Sequence, residues 1–228
     1  LIGLQNIGAT CYMNATLQCF SNVARFREGI LKLKNNYSNK NLSYSLKNVL
    51  TNLWKNNKIK YYAPYDFKNL ISEMNPLFKG IAANDSKDLI LFILEKIHKE
   101  LNIKKGIEPE QGEENNTYFL SVFKAFVNYY ESSNESIVSK EFYGYFVSIM
   151  KCGHCNITTY NVQIMNILFF PLEKVRIYTK TPYNFVTIED CFKQYEELEL
   201  LSGSDQIYCT HCKQVANGYN QNKIIISP

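Results

Sequence analysis

The chain has 228 residues, 46% of them apolar and 20% charged, with a formal net charge of +4. That is room for one large core or two modest lobes, in the balance expected of a globular chain in water. So slight a positive excess, with no dense basic block, argues against a nucleic-acid partner, and no apolar run approaches membrane-spanning length.

In chain order, the first predicted element is a helix opening at Cys11. Met13, Leu17, Phe20 and Ala24 recur at helical spacing, and Thr10 stands in the N-cap position. A polar stretch from Lys34 to Leu42 reads as a loop. Helices are predicted over Tyr44 to Lys55 and, after the start signal of Pro64, through Met74. The strongest helical pattern runs from Ser86 to Leu101, where Leu89, Ile93, Ile97 and Leu101 share a stripe. Gly106 to Asn116 is acidic and polar and reads as a loop, and Thr117 is placed to cap a helix reaching Tyr130. The pattern then changes period. Tyr143, Tyr145, Val147 and Ile149 alternate as in a strand, and Ile157 to Phe170 is rich in β-formers. A short helix is predicted from Ile188 to Tyr195, with strands around Ile207 and from Ile224 to Ile226. The expectation is an α+β chain with a helical lobe over residues 1–134 and a β-rich lobe over 135–228.

Seven cysteines are present: Cys11, Cys19, Cys152, Cys155, Cys191, Cys209 and Cys212. An odd number containing two Cys-x-x-Cys pairs argues against a disulfide framework. Reduced thiols fit an intracellular compartment, cytoplasmic or nuclear. Cys152-Gly153-His154-Cys155 and Cys209-Thr210-His211-Cys212 are two knuckles whose facing ends lie 54 positions apart. Two thiolates on one tight turn can share an ion, and two such turns supply four sulfurs for a closed, structural zinc site. The other readings are two unrelated turns or a redox pair, which belongs in a thioredoxin-like βα context not seen here. With four sulfurs available, His154 and His211 are not needed as ligands. Cys19 and Cys191 have no partner at useful spacing and are read as core thiols.

Cys11 follows a Gly-Ala-Thr turn. A thiol at a helix start faces free N–H groups and the positive end of the dipole, which favour the thiolate. Asn6 lies across the glycine turn, where its amide N–H can stabilise the oxygen of an attacked carbonyl. The run Gly3-Leu4-Gln5-Asn6-Ile7-Gly8-Ala9-Thr10-Cys11-Tyr12-Met13-Asn14, with Gln18 and Phe20 beyond it, resembles the cysteine box of the ubiquitin-specific proteases, papain-like thiol hydrolases. Ala83-Asn84-Asp85-Ser86-Lys87-Asp88-Leu89 resembles that family's Gln-Gln-Asp box, departing from it at Asn84 (usually Gln) and Asp88 (usually Glu). Phe142-Tyr143-Gly144 with Ser148 resembles the segment that leads into the first zinc pair.

The resemblance implies a hand-like domain, with a helical thumb bearing Cys11, zinc-binding β fingers and a palm that is missing or incomplete here. It implies Cys11 as nucleophile, Asn6 as oxyanion donor, and Asp85 and, less directly, Asp88 as holders of the arginine-bearing ubiquitin tail. Acids in a first helical turn also simply complement the dipole. The implied partners are ubiquitin and ubiquitinated proteins, bound by a monomeric catalytic domain without nucleic acid or membrane. A thiol hydrolase needs a base, usually histidine. Two of the three histidines lie in the knuckles, and His98 reads as a core-edge residue of its helix. The family's histidine box belongs to the palm, to which Ile224 to Pro228 resembles the lead-in. The chain opens at Leu1 rather than Met, so a fragment is expected, with any targeting signal out of view. Two functions are open: part of an active deubiquitinase, or a ubiquitin-binding scaffold that does not catalyse.

Overall fold

The computed structural model describes residues 2–34, 40–55, 60–104, 118–179 and 185–226. The expected loop at Gly106 to Asn116 and the proposed cap Thr117 lie outside these, as does most of the Lys34 to Leu42 stretch. Two compact units emerge, Leu1–Ile107 with Ser133–Glu141, and Glu108–Ser132 with Phe142–Pro228. Among the described residues no helix is long and apolar enough to cross a membrane.

The first unit begins with a two-residue strand β1 (Gly3–Leu4), then α1 (Cys11–Asn22), α2 (Ala24–Leu31) and α3 (Leu42–Trp54). A short strand β2 (Tyr61–Tyr62) precedes α4 (Tyr65–Met74), and α5 (Ser86–Leu101) completes the main helices. The α1 stripe of Met13, Leu17 and Phe20 is buried as its spacing predicts. The helix ends at Val23, whose ψ of 98° is extended, so Ala24 begins α2 rather than continuing the stripe. Helix α3 lies at the centre, packed against α2, α4 and α5. Its Leu46, Leu50 and Leu53 are fully buried, and α5 supplies Leu89, Ile93 and Ile97 to the unit's core.

Two features of this unit depend on residues far apart in sequence. The Glu100 carboxylate accepts from Leu42 N and Ser43 N at 2.9 and 2.8 Å, satisfying N–H groups at the start of α3 that Asn41 leaves uncapped. Strand β1 pairs in parallel with β2, Gly3 opposite Tyr61 and Leu4 opposite Tyr62.

The second unit holds α6 (Phe119–Ser133) up to Ser132, and the short α7 (Ile137–Phe142) leads from the first unit into β3 (Gly144–Cys152). There follow β4 (Thr158–Met165), α8 (Leu172–Thr179), α9 (Ile188–Tyr195), β5 (Glu199–Leu201), β6 (Ile207–Cys209), β7 (Gln214–Ala216) and β8 (Gly218–Ile226). The sheet order is β4-β3-β8-β5, antiparallel throughout, with β6 and β7 forming a separate hairpin. Tyr145, Val147 and Val162 are buried under α6, whose Phe119 meets Tyr160 and whose Phe123 meets Tyr145 edge-on. The α+β class and the alternation of β3 agree with the sequence pattern.

Strand β8 is longer than its apolar end predicts. Its polar half is tied down by its side chains: Ser148 Oγ donates to Asn220 Oδ1 at 2.8 Å, and Gln221 Nε2 to the Glu196 carbonyl at 3.1 Å. Cys191 is buried, but Cys19 is exposed on α1 and is not a core thiol.

Candidate active site and metal centre

Cys11 is the first residue of α1 and is exposed, whereas Thr10 before it is fully buried. Thr10 occupies the N-cap position, but its hydroxyl does not cap the helix. It accepts from Ile7 N at 3.1 Å and donates to Asn6 Oδ1 at 3.0 Å. The start of α1 at Cys11 is therefore left without a side-chain cap. Gly8 and Ala9 both have positive φ, 114° and 44°, and this double left-handed step folds the loop back toward Asn6.

Asn6 Oδ1 also accepts from Thr10 N at 2.9 Å and Gly8 N at 3.3 Å. A backbone N–H can only donate, so these contacts fix which end of the amide is oxygen. Nδ2 faces the other way and has no partner among the described residues, on an exposed residue. Asn6 thus satisfies turn N–H groups with its oxygen and keeps a donor in reserve. An exposed thiol at an uncapped helix start and an oriented amide donor are two of the parts that attack on a carbonyl requires, the base being a third.

The second centre lies at the tips of the sheet unit. Cys152 ends β3, Cys209 ends β6, and Cys155 and Cys212 follow in the turns after them. The four sulfurs lie within 4.8 Å of one another, with Cys152–Cys212 at 3.9 Å and Cys155–Cys209 at 3.7 Å. A tetrahedral thiolate site with metal–sulfur bonds of about 2.3 Å separates its sulfurs by about 3.8 Å. The cluster has the size such an ion requires.

The two knuckles have the same backbone design. Asn156 N donates to Cys152 O at 2.9 Å and Lys213 N to Cys209 O at 2.8 Å, and both residues have positive φ, 59° and 56°. The backbone N–H groups of Cys155 and His154 lower the Cys152 thiol, and that of Cys212 chiefly draws Cys209 down to about 7. Burial and the neighbouring sulfurs push Cys212 up to about 12, because thiolates brought this close repel one another. A cation removes that repulsion. Gly153 is required where it stands: its N–H donates to Asn217 O at 2.8 Å, and a Cβ there would lie 2.7 Å from that oxygen.

Comparison with known families bears on both centres together. The family model described as ubiquitin carboxyl-terminal hydrolase matches residues 2–220. The chain belongs to that family. It is 28% identical over 236 residues to ubiquitin carboxyl-terminal hydrolase 4 of Saccharomyces cerevisiae (strain YJM789), covering 93% of the chain and 25% of the yeast protein. It is 25% identical over 222 residues to ubiquitin carboxyl-terminal hydrolase 2 of Homo sapiens, covering 93% of the chain and 36% of the human protein. Identity to ubiquitin carboxyl-terminal hydrolase 4 of Mus musculus is 31% over 189 residues, 78% of the chain and 20% of the mouse protein. The chain thus spans between a fifth and about a third of the length of these hydrolases.

Asp85 is the N-cap of α5 and its Oδ1 accepts from Lys87 N at 2.7 Å. Asp88 sits 3.8 Å from Lys87 Nζ, both side chains half exposed. The exposed Ile81 side chain, four residues ahead of Asp85, would lie 3.5 Å from a Cβ at Gly8, so the Asn6–Thr10 loop and the approach to α5 are neighbours. His98 is buried, with Nδ1 2.8 Å from Ser136 Oγ and Nε2 3.1 Å from Asn134 Oδ1. Ser136 Oγ also accepts from Val138 N and Ser139 N, which fixes the hydroxyl beside the ring. Sequence reasoning placed Thr10 correctly but missed the turn of its hydroxyl, for which no local signal exists.

Proposed function

We propose that this chain forms part of a thiol-dependent deubiquitinase that hydrolyses peptide and isopeptide bonds at the C-terminal glycine of ubiquitin. The observation that carries the reading is the joint arrangement of exposed Cys11 at the start of α1 and Asn6, whose Nδ2 is left free by the three contacts to its oxygen. Membership of the hydrolase family supports the substrate.

In this reading a base takes the Cys11 thiol proton, and the thiolate sulfur adds to the glycine carbonyl. The resulting oxyanion receives N–H donors from Asn6 Nδ2 and the backbone of Cys11. Collapse expels the amine, which takes a proton from the base, and leaves a thioester on Cys11. Water, deprotonated by the same base, hydrolyses the thioester to the free ubiquitin carboxylate and restores the thiol. His98 is engaged at both ring nitrogens, and His154 and His211 lie in the knuckles, so the base is assigned to none of the three. Cys152, Cys155, Cys209 and Cys212 would hold one zinc ion, and four thiolates would leave no position for water or substrate, so the role of the ion would be structural. Exposed Cys11 and a four-thiolate zinc site both require reduced thiols, which supports an intracellular setting.

The test is a ubiquitin probe bearing a C-terminal electrophile, applied to the full-length protein. Peptide mapping should place the adduct on Cys11. Retained ubiquitin binding with no adduct would instead favour the non-catalytic scaffold. Asn6→Ala should lower kcat by about 10²–10³-fold with little change in ubiquitin affinity, the scale of losing one oxyanion donor. Parallel losses of turnover and affinity would assign Asn6 to the turn alone.

Asp85 is proposed to hold the basic ubiquitin tail, and its capping bond shapes the variant to use. Asp85→Ser keeps an oxygen for Lys87 N while removing the charge, so ubiquitin Kd should rise with Tm held. Asp85→Ala should in addition cost about 1 kcal/mol of stability through the lost cap. Wild-type affinity in Asp85→Ser would refute a tail role.

A further inference from the structure

The loop that carries Asn6 is tethered from outside as well as within. Gln5 N donates to Tyr62 O at 2.9 Å, which hangs the residue before Asn6 from strand β2. The Gln5 carbonyl accepts from Asn14 Nδ2 at 3.1 Å, and the same nitrogen lies 3.5 Å from Leu4 O. One turn further along α1, Gln18 Nε2 reaches Ile2 O at 3.4 Å. Two carboxamides four residues apart, on one face of the helix that begins at Cys11, thus hold the backbone of residues 2–5. The Asn14 tether is the one that matters for the site. It grips the peptide group joining Gln5 to Asn6, so it sets where the Asn6 Cα and the amide beyond it lie relative to the first turn of α1.

Asn14 is held this way at a cost. Its Oδ1 is buried and has no hydrogen-bond partner among the described residues. A carboxamide placed only for stability would satisfy both ends, since a buried acceptor left unpaired is unfavourable. Here the donor end alone is used, and it is used on the loop that orients Asn6.

We propose that Asn14 is a positioning residue for the hydrolysis: its amide clamps the Gln5 carbonyl to α1 and so holds Asn6 Nδ2 where the oxyanion forms, an inference that rests on the roles given above to Cys11 and Asn6. Asn14 touches neither substrate nor sulfur in this account and acts through Asn6 alone.

The test compares wild type, Asn14→Ala, Asn14→Asp, Asn6→Ala and the double variant Asn6→Ala/Asn14→Ala in the full-length protein. Asn14→Asp keeps the shape but loses the N–H donor. Both Asn14 variants should lower kcat for a ubiquitin C-terminal amide by about 10- to 100-fold, the effect of a misplaced group, with KM within about twofold. Alkylation of Cys11 by ubiquitin carrying a C-terminal alkyl halide forms no oxyanion, and its rate should match wild type in every variant. That arm also reports that the variants fold and bind ubiquitin. The double variant should be no slower than Asn6→Ala, because the clamp has nothing left to position. Multiplicative losses in the double variant, a wild-type kcat in Asn14→Asp, or alkylation slowed in step with hydrolysis would each overturn the positioning role while leaving Asn6 as donor. A wild-type kcat in Asn6→Ala would overturn both readings together.

Discussion

Cys11→Ala is expected to reduce hydrolysis of ubiquitin amides to background, a loss on the order of 10⁶-fold when a covalent nucleophile is removed. Ubiquitin affinity and Tm should be retained. The reasons are local. Cys11 is exposed and its sulfur makes no hydrogen bond to the described residues, so truncation leaves no cavity and orphans no partner. Alanine is also the best helix former, and the position opens α1. The core face of that helix, Met13, Leu17 and Phe20, is untouched. Steady-state hydrolysis, labelling by the electrophilic probe and calorimetric ubiquitin binding together check this. Residual labelling in Cys11→Ala at the wild-type rate would move the nucleophile elsewhere.

Removal of the zinc ion proposed for Cys152, Cys155, Cys209 and Cys212 is expected to have a large structural effect. Structural zinc sites bind with about 10–16 kcal/mol in zinc-finger peptides, as much as the whole stability of a typical domain, about 5–15 kcal/mol. The β6–β7 hairpin pairs over only three residues on each strand, Ile207–Cys209 with Gln214–Ala216, and such a hairpin is marginal by itself. Its tie to β3 through the four sulfurs replaces a core it does not have. Cys209→Ser, or chelation, should therefore release hydrogen exchange first across 207–216 and 151–158. The rest of the sheet, which keeps its packing of Tyr145, Val147 and Val162 under α6, should loosen later. Helices α1 to α5 should keep their protection, because Leu46, Leu50, Ile93 and Ile97 form a separate core in their own unit. Metal analysis should find about one zinc per chain, as a four-sulfur site requires. Unchanged exchange across residues 143–212 in metal-free protein would overturn the assignment.

Features whose cause lies within a few residues could be read from the sequence. Helix α5 runs from Ser86 to Leu101 as its periodicity predicts, because the Asp85 cap and the apolar stripe are both local. The same holds for α9, where Thr187 and Asp190 form a capping box at the predicted start. The knuckles are legible because a Cys-x-x-Cys turn is complete in itself, and the fold had only to bring the two together. Helix α8 was not anticipated, and its β-branched Val175, Ile177 and Thr179 are weak helix formers. The polar half of β8 escaped because its side chains are met from β3 and along β8 itself rather than following an apolar alternation.

The sequence by itself determined the nucleophile candidate, the helix it opens, the four metal-ligand candidates and the change from helical to strand period. All of these are written in contiguous residues, where spacing and backbone propensity act. Only the tertiary structure decided that α6 covers the sheet, that Glu100 caps a helix nearly sixty residues upstream, and that Thr10 turns its hydroxyl away from α1 toward Asn6. It alone decided that Asn14 holds the Gln5 carbonyl. An amphipathic face does not encode which partner will cover it. A carboxamide or hydroxyl does not encode which of several donors and acceptors it will meet. Those choices are made when distant segments compete for the same buried polar groups, and no local pattern records the outcome.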